Sequence, residues 1–329
     1  MRYVSGNAGL PAGAAPMSVL GFGCAALLGR ASRSESLTAL GAAMDAGITF
    51  FDTARSYGYG GSEGLLGEFI AGSSTLRREE IFLCTKFGIL PAAQGGWKQK
   101  IKPLARAAVK LFPGLRRAAQ KQAGTQFIGG QFDVATLASS FETSLRELKT
   151  DYVDMLLMHA APASVLAQDD LLEAMNRLVE SGKVRMAGIS AELPVISEYF
   201  VQRPEALTTA QFALNVLLMD FVAETRKNSD LLLVANHPYG GPGGNAKARI
   251  TALAADERLP KTLQEKLDVD DPQVLPEVVL NCILQGTGVS AVIPAMMQVR
   301  HIASNVKAVE QCRFTVEELD LLRGSLAGA

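Results

Sequence analysis

Thr49-Phe50-Phe51-Asp52-Thr53-Ala54-Arg55-Ser56-Tyr57-Gly58 is the stretch on which the reading of this chain turns. Three β-prone or apolar residues run straight into Asp52, a short loop leads to Tyr57, and Gly58-Tyr59-Gly60-Gly61 follows. A buried strand ending in an acid, with a phenol one loop later, puts two ionisable groups at a strand's C-terminal edge. That edge is where parallel α/β sheets carry their chemistry.

The same unit recurs on both sides. Upstream, Ser32 and Glu35 read as a capping box, and Leu37, Leu40 and Met44 keep helical spacing until Gly47. Downstream, Ser62–Ile70 is helical, with Leu65, Leu66 and Phe69 on one face. Val19–Gly23 reads as a first strand after an irregular lead-in or short hairpin over 1–18. Further strands are predicted at 81–85 ending in Lys86, at 153–158 ending in His159, and at 184–189 ending in Ser190. Three more run over 208–212 with Gln211, over 231–235 and over 289–293. Helical patterns fall at 133–148, 171–180, near 193–201, around 217–227, at 276–285 and at 299–310, and Thr315 caps a terminal one. A Gly/Pro/Asp-containing excursion fills 238–275. Strands alternating with helices demand parallel pairing and right-handed crossovers. Eight such units without a composition break make an α/β fold, one (β/α)8 TIM barrel over residues 1–329.

Composition narrows the function. The 329 residues are 48% hydrophobic and 20% charged with a net charge of −1, so no global field recruits nucleic acid or a membrane surface. No apolar run is long enough for an integral membrane segment, and no secretory leader is expected. Cys24, Cys84, Cys282 and Cys312 stand far apart, which implies a reducing, cytoplasmic setting and no structural metal. Gly21-Phe22-Gly23-Cys24-Ala25-Ala26 imitates a dinucleotide fingerprint, but no apolar helix opens at once behind it, and it reads as a tight turn at the first strand's end. The oligomeric state is not written in the sequence.

In a barrel, Asp52 with Tyr57, Lys86, His159, Ser190 and Gln211 converge on one rim. The set has a chemical logic. A tyrosine with a pKa of about 10 is a poor acid–base catalyst near neutrality. A neighbouring ammonium lowers that pKa, a carboxylate holds the ammonium, and a histidine orients a carbonyl oxygen. The missing hydride is what a nicotinamide supplies.

These stretches resemble an aldo-keto reductase. The resemblance rests on 47–58 with Ser62-Glu63 and Leu66-Gly67, on Thr85-Lys86-Phe87-Gly88, on 151–159, on Gly188-Ile189-Ser190, on Gln211, and on Val292-Ile293-Pro294 with Asn305. It implies an NAD(P)H-dependent reductase of aldehydes or ketones acting on a small-molecule carbonyl substrate. Tyr57 is then the proton donor, Lys86 its pKa-lowering partner, Asp52 the partner of Lys86, and His159 the carbonyl-orienting residue. Ser190 and Gln211 are implied to hold the nicotinamide carboxamide. Gly240 and Gly241 fall in the implied pyrophosphate loop, and Asn305 matches the adenine contact. The residues after Pro294 depart from the pattern that favours a 2′-phosphate. Only Arg300 and His301 are left to meet it, so NADP(H) is expected first and NAD(H) is the alternative. Ala191 stands where the family has Asn after Ser190. The same residues would serve a sugar or alcohol dehydrogenase working mainly in oxidation. The third alternative is a nucleotide-sensing regulatory subunit without turnover.

One stretch stands apart. Residues 91–132 carry eight basic residues (Lys98, Lys100, Lys102, Arg106, Lys110, Arg116, Arg117, Lys121) and no acid. They read as an enlarged basic loop after the third strand, with Trp97 a candidate wall of the substrate pocket.

Overall fold

The structure is a computed structural model and describes residues 1–4, 9–11, 13–74, 76–91, 127–240 and 245–327. Eight parallel strands stand side by side in chain order. They are β1 (Gly21–Gly23), β2 (Phe50–Asp52), β3 (Phe82–Phe87), β4 (Val153–His159), β5 (Val184–Ser190), β6 (Thr209–Ala213), β7 (Leu232–Asn236) and β8 (Ala291–Ile293). A parallel bridge between Leu20 and Val292, with Val292 N–H donating to the Val19 carbonyl at 2.9 Å, joins the last strand to the first. The sheet is therefore a nearly closed barrel, as the alternation predicts.

Its interior is packed. Phe50, Phe82, Met155, Met186, Leu232 and Val234 fill it, with Phe50 and Phe82 edge to face at 5.5 Å. Each buried aromatic contributes on the order of 2 kcal/mol of apolar burial. Gly21 is required there, since a Cβ would come within 2.6 Å of the Phe50 ring. The close approach to Phe50, not a nucleotide, accounts for that glycine. The N-terminal lead-in closes the floor. Tyr3 bridges Ser18 antiparallel, Val4 N–H donates to Met17 O at 2.8 Å, and Met17 and Ala15 join the interior cluster. The lead-in thus covers the barrel end where the strands begin.

Helices form the outer layer. The Ser32–Glu35 capping box opens α1 (Arg33–Asp45), and α2 (Ser62–Ala71) follows β2. Asp133 caps α3 (Val134–Leu148), its Oδ1 accepting from Thr136 N–H at 2.8 Å. The first and last strands are shorter than expected, starting at Gly21 and Ala291. The excursion after β7 holds two helices, Ala246–Ala254, capped by Asn245, and Lys261–Lys266. The expected helix near 217–227 is a 3₁₀ turn, Met219–Phe221, followed by Val222–Lys227. After β3, Leu90–Pro91 pairs antiparallel with Phe127–Ile128. Residues 92–126, including Trp97 and all eight basic residues, lie outside the described residues, as does Gly241. Among the described residues no helix is long and apolar enough to cross a membrane, and no three metal-ligating side chains gather.

Candidate active site

Strand pairing sets the core of the site. Asp52 ends β2 and lies opposite Cys84 of β3. Alternation along β3 then turns Lys86 to the same interior face as Cys84 and Phe82, with Thr85 on the opposite face. Lys86 is 1% exposed, and a buried ammonium needs partners. Its Nζ donates to Asp52 Oδ1 at 2.5 Å and to the Thr53 carbonyl at 3.0 Å. From across the barrel, Gln211 Nε2 donates to the same Asp52 oxygen at 2.9 Å. Ser190, register partner of Gln211, donates its hydroxyl to Gln211 Oε1 at 3.0 Å. One chain of polar contacts thus runs from β3 through β2 and β6 to β5.

Tyr57 stands over this chain. Lys86 Nζ lies 5.0 Å from the centre of its ring, and the His159 ring meets it edge to face at 5.6 Å and 85°. Both rings are half-buried at the open rim. The loop geometry depends on Gly58, whose φ is +59° and whose Cβ would fall 2.4 Å from the Leu27 carbonyl oxygen. No other residue meets both conditions without strain. Tyr59, also left-handed at φ +59°, stacks on Phe127 at 6.0 Å.

Electrostatics assigns protonation states. Burial pushes the Tyr57 phenol up; the Lys86 charge pulls it down but does not win, and the result is about 12. The expected influence of Lys86 is present in sign, yet the net shift is upward. Burial works against the Lys86 ammonium too, but Asp52 and then Tyr57 outweigh it and hold its pKa above the ordinary value. His159 is driven down to about 3, first by burial and then by the Lys86 charge, so its imidazole is neutral. Its Nδ1 is buried without a partner. Burial and the Asp52 charge raise Cys84 and Cys24, which stay thiols beneath the acid. Sequence reasoning missed both; the spacing of Cys84 two residues before Lys86 was the available signal.

The rim after β7 and β8 is built differently. Gly240 has φ +88° and closes a turn on the His237 carbonyl at 2.9 Å. Next to it, Tyr239 donates its hydroxyl to Asn305 Oδ1 at 2.7 Å, and Asn305 Nδ2 lies 3.6 Å from Met296 Sδ. Asn305 is 4% exposed. Its partnership with Tyr239 was not foreseen. Arg300 and His301 are exposed in the first turn of α4 (Val299–Glu310), which has no side-chain cap. His237 bonds Asn236 at 2.8 Å and stays outside the catalytic cluster. Ser304 is held by Gln273 at 3.1 Å.

Residues 19–327 match the aldo/keto reductase family. The chain belongs to that family. Aldo/keto reductases are in general NAD(P)H-dependent carbonyl reductases, so the enzyme class and its cofactor type follow at that level. The chain is similar to the uncharacterized oxidoreductase YqkF of Bacillus subtilis (strain 168), 24% identical over 328 residues, which span 93% of this chain and 92% of that protein. It is also similar to the probable aldo-keto reductase 1 of Glycine max, 31% identical over 182 residues, which cover 54% of this chain and 42% of that one. Among solved structures, the aldo-keto reductase AKR11C1 from Bacillus halodurans (holo form) superposes with a TM-score of 0.66 at 23% identity over 95% of this chain and 93% of its own. An aldo/keto reductase from Klebsiella pneumoniae in complex with NADP and acetate gives 0.65 at 22% identity, over 95% and 93%. Both share the barrel.

The residues present suit the family's dinucleotide. Ser190 keeps lone pairs at the rim after donating to Gln211, acceptors for an amide N–H₂. At the other end, the uncapped start of α4 offers backbone N–H groups, with Arg300 beside them, to a phosphate.

Proposed function

We propose that this protein reduces the carbonyl group of a small aldehyde or ketone to an alcohol with NAD(P)H, Tyr57 giving the proton. The observation that carries the reading is the convergence of buried Asp52 and Lys86 with half-buried Tyr57 and His159 at the strands' C-terminal ends. Bound beside Ser190 and Gln211, the nicotinamide would supply the hydride to the carbonyl carbon.

The rest is work for the side chains. With its pKa at about 12, Tyr57 keeps its proton near neutrality and is an acid waiting for a stronger base. A carbonyl oxygen that gains negative character becomes that base, and the proton moves to it from Tyr57 Oη. The phenolate left behind is stabilised by the Lys86 ammonium, which lies 5.0 Å from the ring centre. Asp52, Thr53 O and Gln211 fix that ammonium and its counter-ion, so little reorganisation is needed as charge develops. A neutral His159 donates one N–H toward the same oxygen and orients it without placing a second cation beside Lys86. The alcohol results, one hydride on carbon and one proton on oxygen. Arg300 and His301 are the candidate contacts for a 2′-phosphate. Both are exposed on one helical turn, which supports use of NADH as well as NADPH.

Turnover of a panel of aldehydes and ketones, followed by oxidation of bound NADPH and NADH, tests this. Carbonyl-dependent oxidation of the bound cofactor is expected. Tight cofactor binding with no oxidation by any carbonyl would favour a nucleotide sensor instead.

A further inference from the structure

Behind the wall of the active site stands a second polar cluster that this chemistry does not use. Arg55, two residues before Tyr57, has a side chain only 11% exposed and pairs through Nη1 with Glu63 Oε2 at 2.5 Å. Glu63, 1% exposed, accepts from Thr85 Oγ1 at 2.6 Å. Thr85 faces away from Lys86 along β3, so Arg55 and Glu63 lie on the helix side of the barrel wall, not in its mouth.

Among the described residues, two buried polar atoms here have no partner: Arg55 Nε and Ser140 Oγ. Ser140 sits on α3 and is 5% exposed. Unpaired buried donors are rare in native folds and call for an explanation. Both residues line one crevice of about 240 Å³, together with Ser139, Thr143, Leu90 and Pro91. That space is far more than one water requires.

The donor set identifies the guest. Ser139 has given its hydroxyl proton to the Ala135 carbonyl at 3.0 Å and Thr143 to the Ser139 carbonyl at 2.9 Å. The buried donors left without a partner among the described residues are the Arg55 Nε–H and the Ser140 hydroxyl, one of them charged. Donors on a guanidinium and a hydroxyl match oxygens that carry negative charge. Glu63 already balances the Arg55 charge, so a modest affinity is expected.

We propose that this crevice binds a small oxyanion, a carboxylate or a phosphate group, through Arg55 Nε and the Ser140 hydroxyl. Arg55 N–H also donates to the Lys86 carbonyl at 3.3 Å, so an anion there braces the segment that carries Tyr57. The site is separate from the catalytic cluster and does not depend on the carbonyl-reductase reading.

The test is calorimetric titration and thermal unfolding of the full chain saturated with NADP⁺, so that the cofactor's own phosphate positions are filled. Inorganic phosphate and acetate are the two probes, with sodium chloride at matched ionic strength as control. Saturable binding and a raised melting temperature are expected with at least one probe, and the probe that saturates at lower concentration identifies phosphate or carboxylate as the preferred group. Ser140→Ala removes only the unpaired hydroxyl, and Arg55→Lys keeps a cation for Glu63 but has no Nε. Each should weaken binding about tenfold, the effect of one hydrogen bond to a charged group. The proposal is overturned if neither probe saturates beyond the chloride control, or if both variants bind as tightly as the unsubstituted protein.

Discussion

The two ends of the open rim are built on opposite plans. At the catalytic end, Lys86, Asp52, Gln211 and Ser190 are buried and hydrogen-bonded to one another across four strands. At the far end, after β7 and β8, the charged candidates Arg300 and His301 are exposed on one helical turn, and the buried amide of Asn305 is occupied by Tyr239. Strand ends hold their side chains by register, so a group that must sit within tenths of an ångström of a reacting atom belongs there. Loops and helix starts hold theirs by solvated contacts, and discrimination there is correspondingly soft. Chemistry should therefore be brittle to substitution and cofactor choice tolerant.

The largest stability effect should come from breaking the buried pair. Lys86→Met takes away the cation paired with the buried Asp52 carboxylate, and a buried ion that loses its charged partner typically costs about 3–5 kcal/mol. Chemical denaturation should show a loss of that order, with carbonyl reduction abolished. A loss below about 1 kcal/mol, in the range of an exposed pair, would break the contrast between the two ends.

Next in size is the acid limb of stability. The ordinary histidine value is 6.5, and folding lowers His159 to about 3. Below 6.5 the unfolded chain takes up a proton that the folded chain refuses, so the contribution of this site is present above that pH. It is lost as pH falls toward 3. His159→Gln should flatten that part of the stability profile. In the unsubstituted enzyme, no histidine limb should appear in turnover between about pH 5 and 8. A pH–rate step in that window that vanishes in His159→Gln would contradict a neutral imidazole.

The smallest effect belongs to the other end. Arg300→Ala should weaken NADPH binding by about 1 kcal/mol or less, the range of an exposed ion pair, and leave NADH unchanged. The ratio of NADPH to NADH affinity should lie near unity before the substitution. A ratio of thousands would mean that a fixed cation meets the 2′-phosphate, and the contrast would fail.

The same contrast marks what was legible in the amino-acid sequence. Asp52, Lys86, His159, Ser190 and Gln211 each lie at or near the end of an apolar run, and parallel register then brings them together without further information. The capping boxes and the barrel itself were legible for the same reason: they depend on spacing along the chain. Arg55–Glu63–Thr85 and the place of Cys84 under Asp52 were not, because they depend on which side chains meet once strands and helices are adjacent. The Tyr239–Asn305 bond joins residues 66 apart and had no local signature. Helices at Ala246–Ala254 and Lys261–Lys266 escaped notice because short segments carry too little periodicity to stand out among Gly, Pro and Asp. The direction of the Tyr57 shift was a contest of magnitudes. Burial and the Lys86 charge oppose each other, and only the depth of burial decides between them.

The central claim is that Tyr57 gives the proton. Single-turnover oxidation of bound NADPH by a reactive aldehyde, measured in the unsubstituted protein and in Tyr57→Phe with cofactor affinity determined in parallel, tests it most directly. The account predicts a rate lower by about 10²–10⁴ in Tyr57→Phe, the range for loss of a general acid, with NADPH affinity nearly unchanged. Hydride transfer within a few-fold of the unsubstituted rate would contradict it.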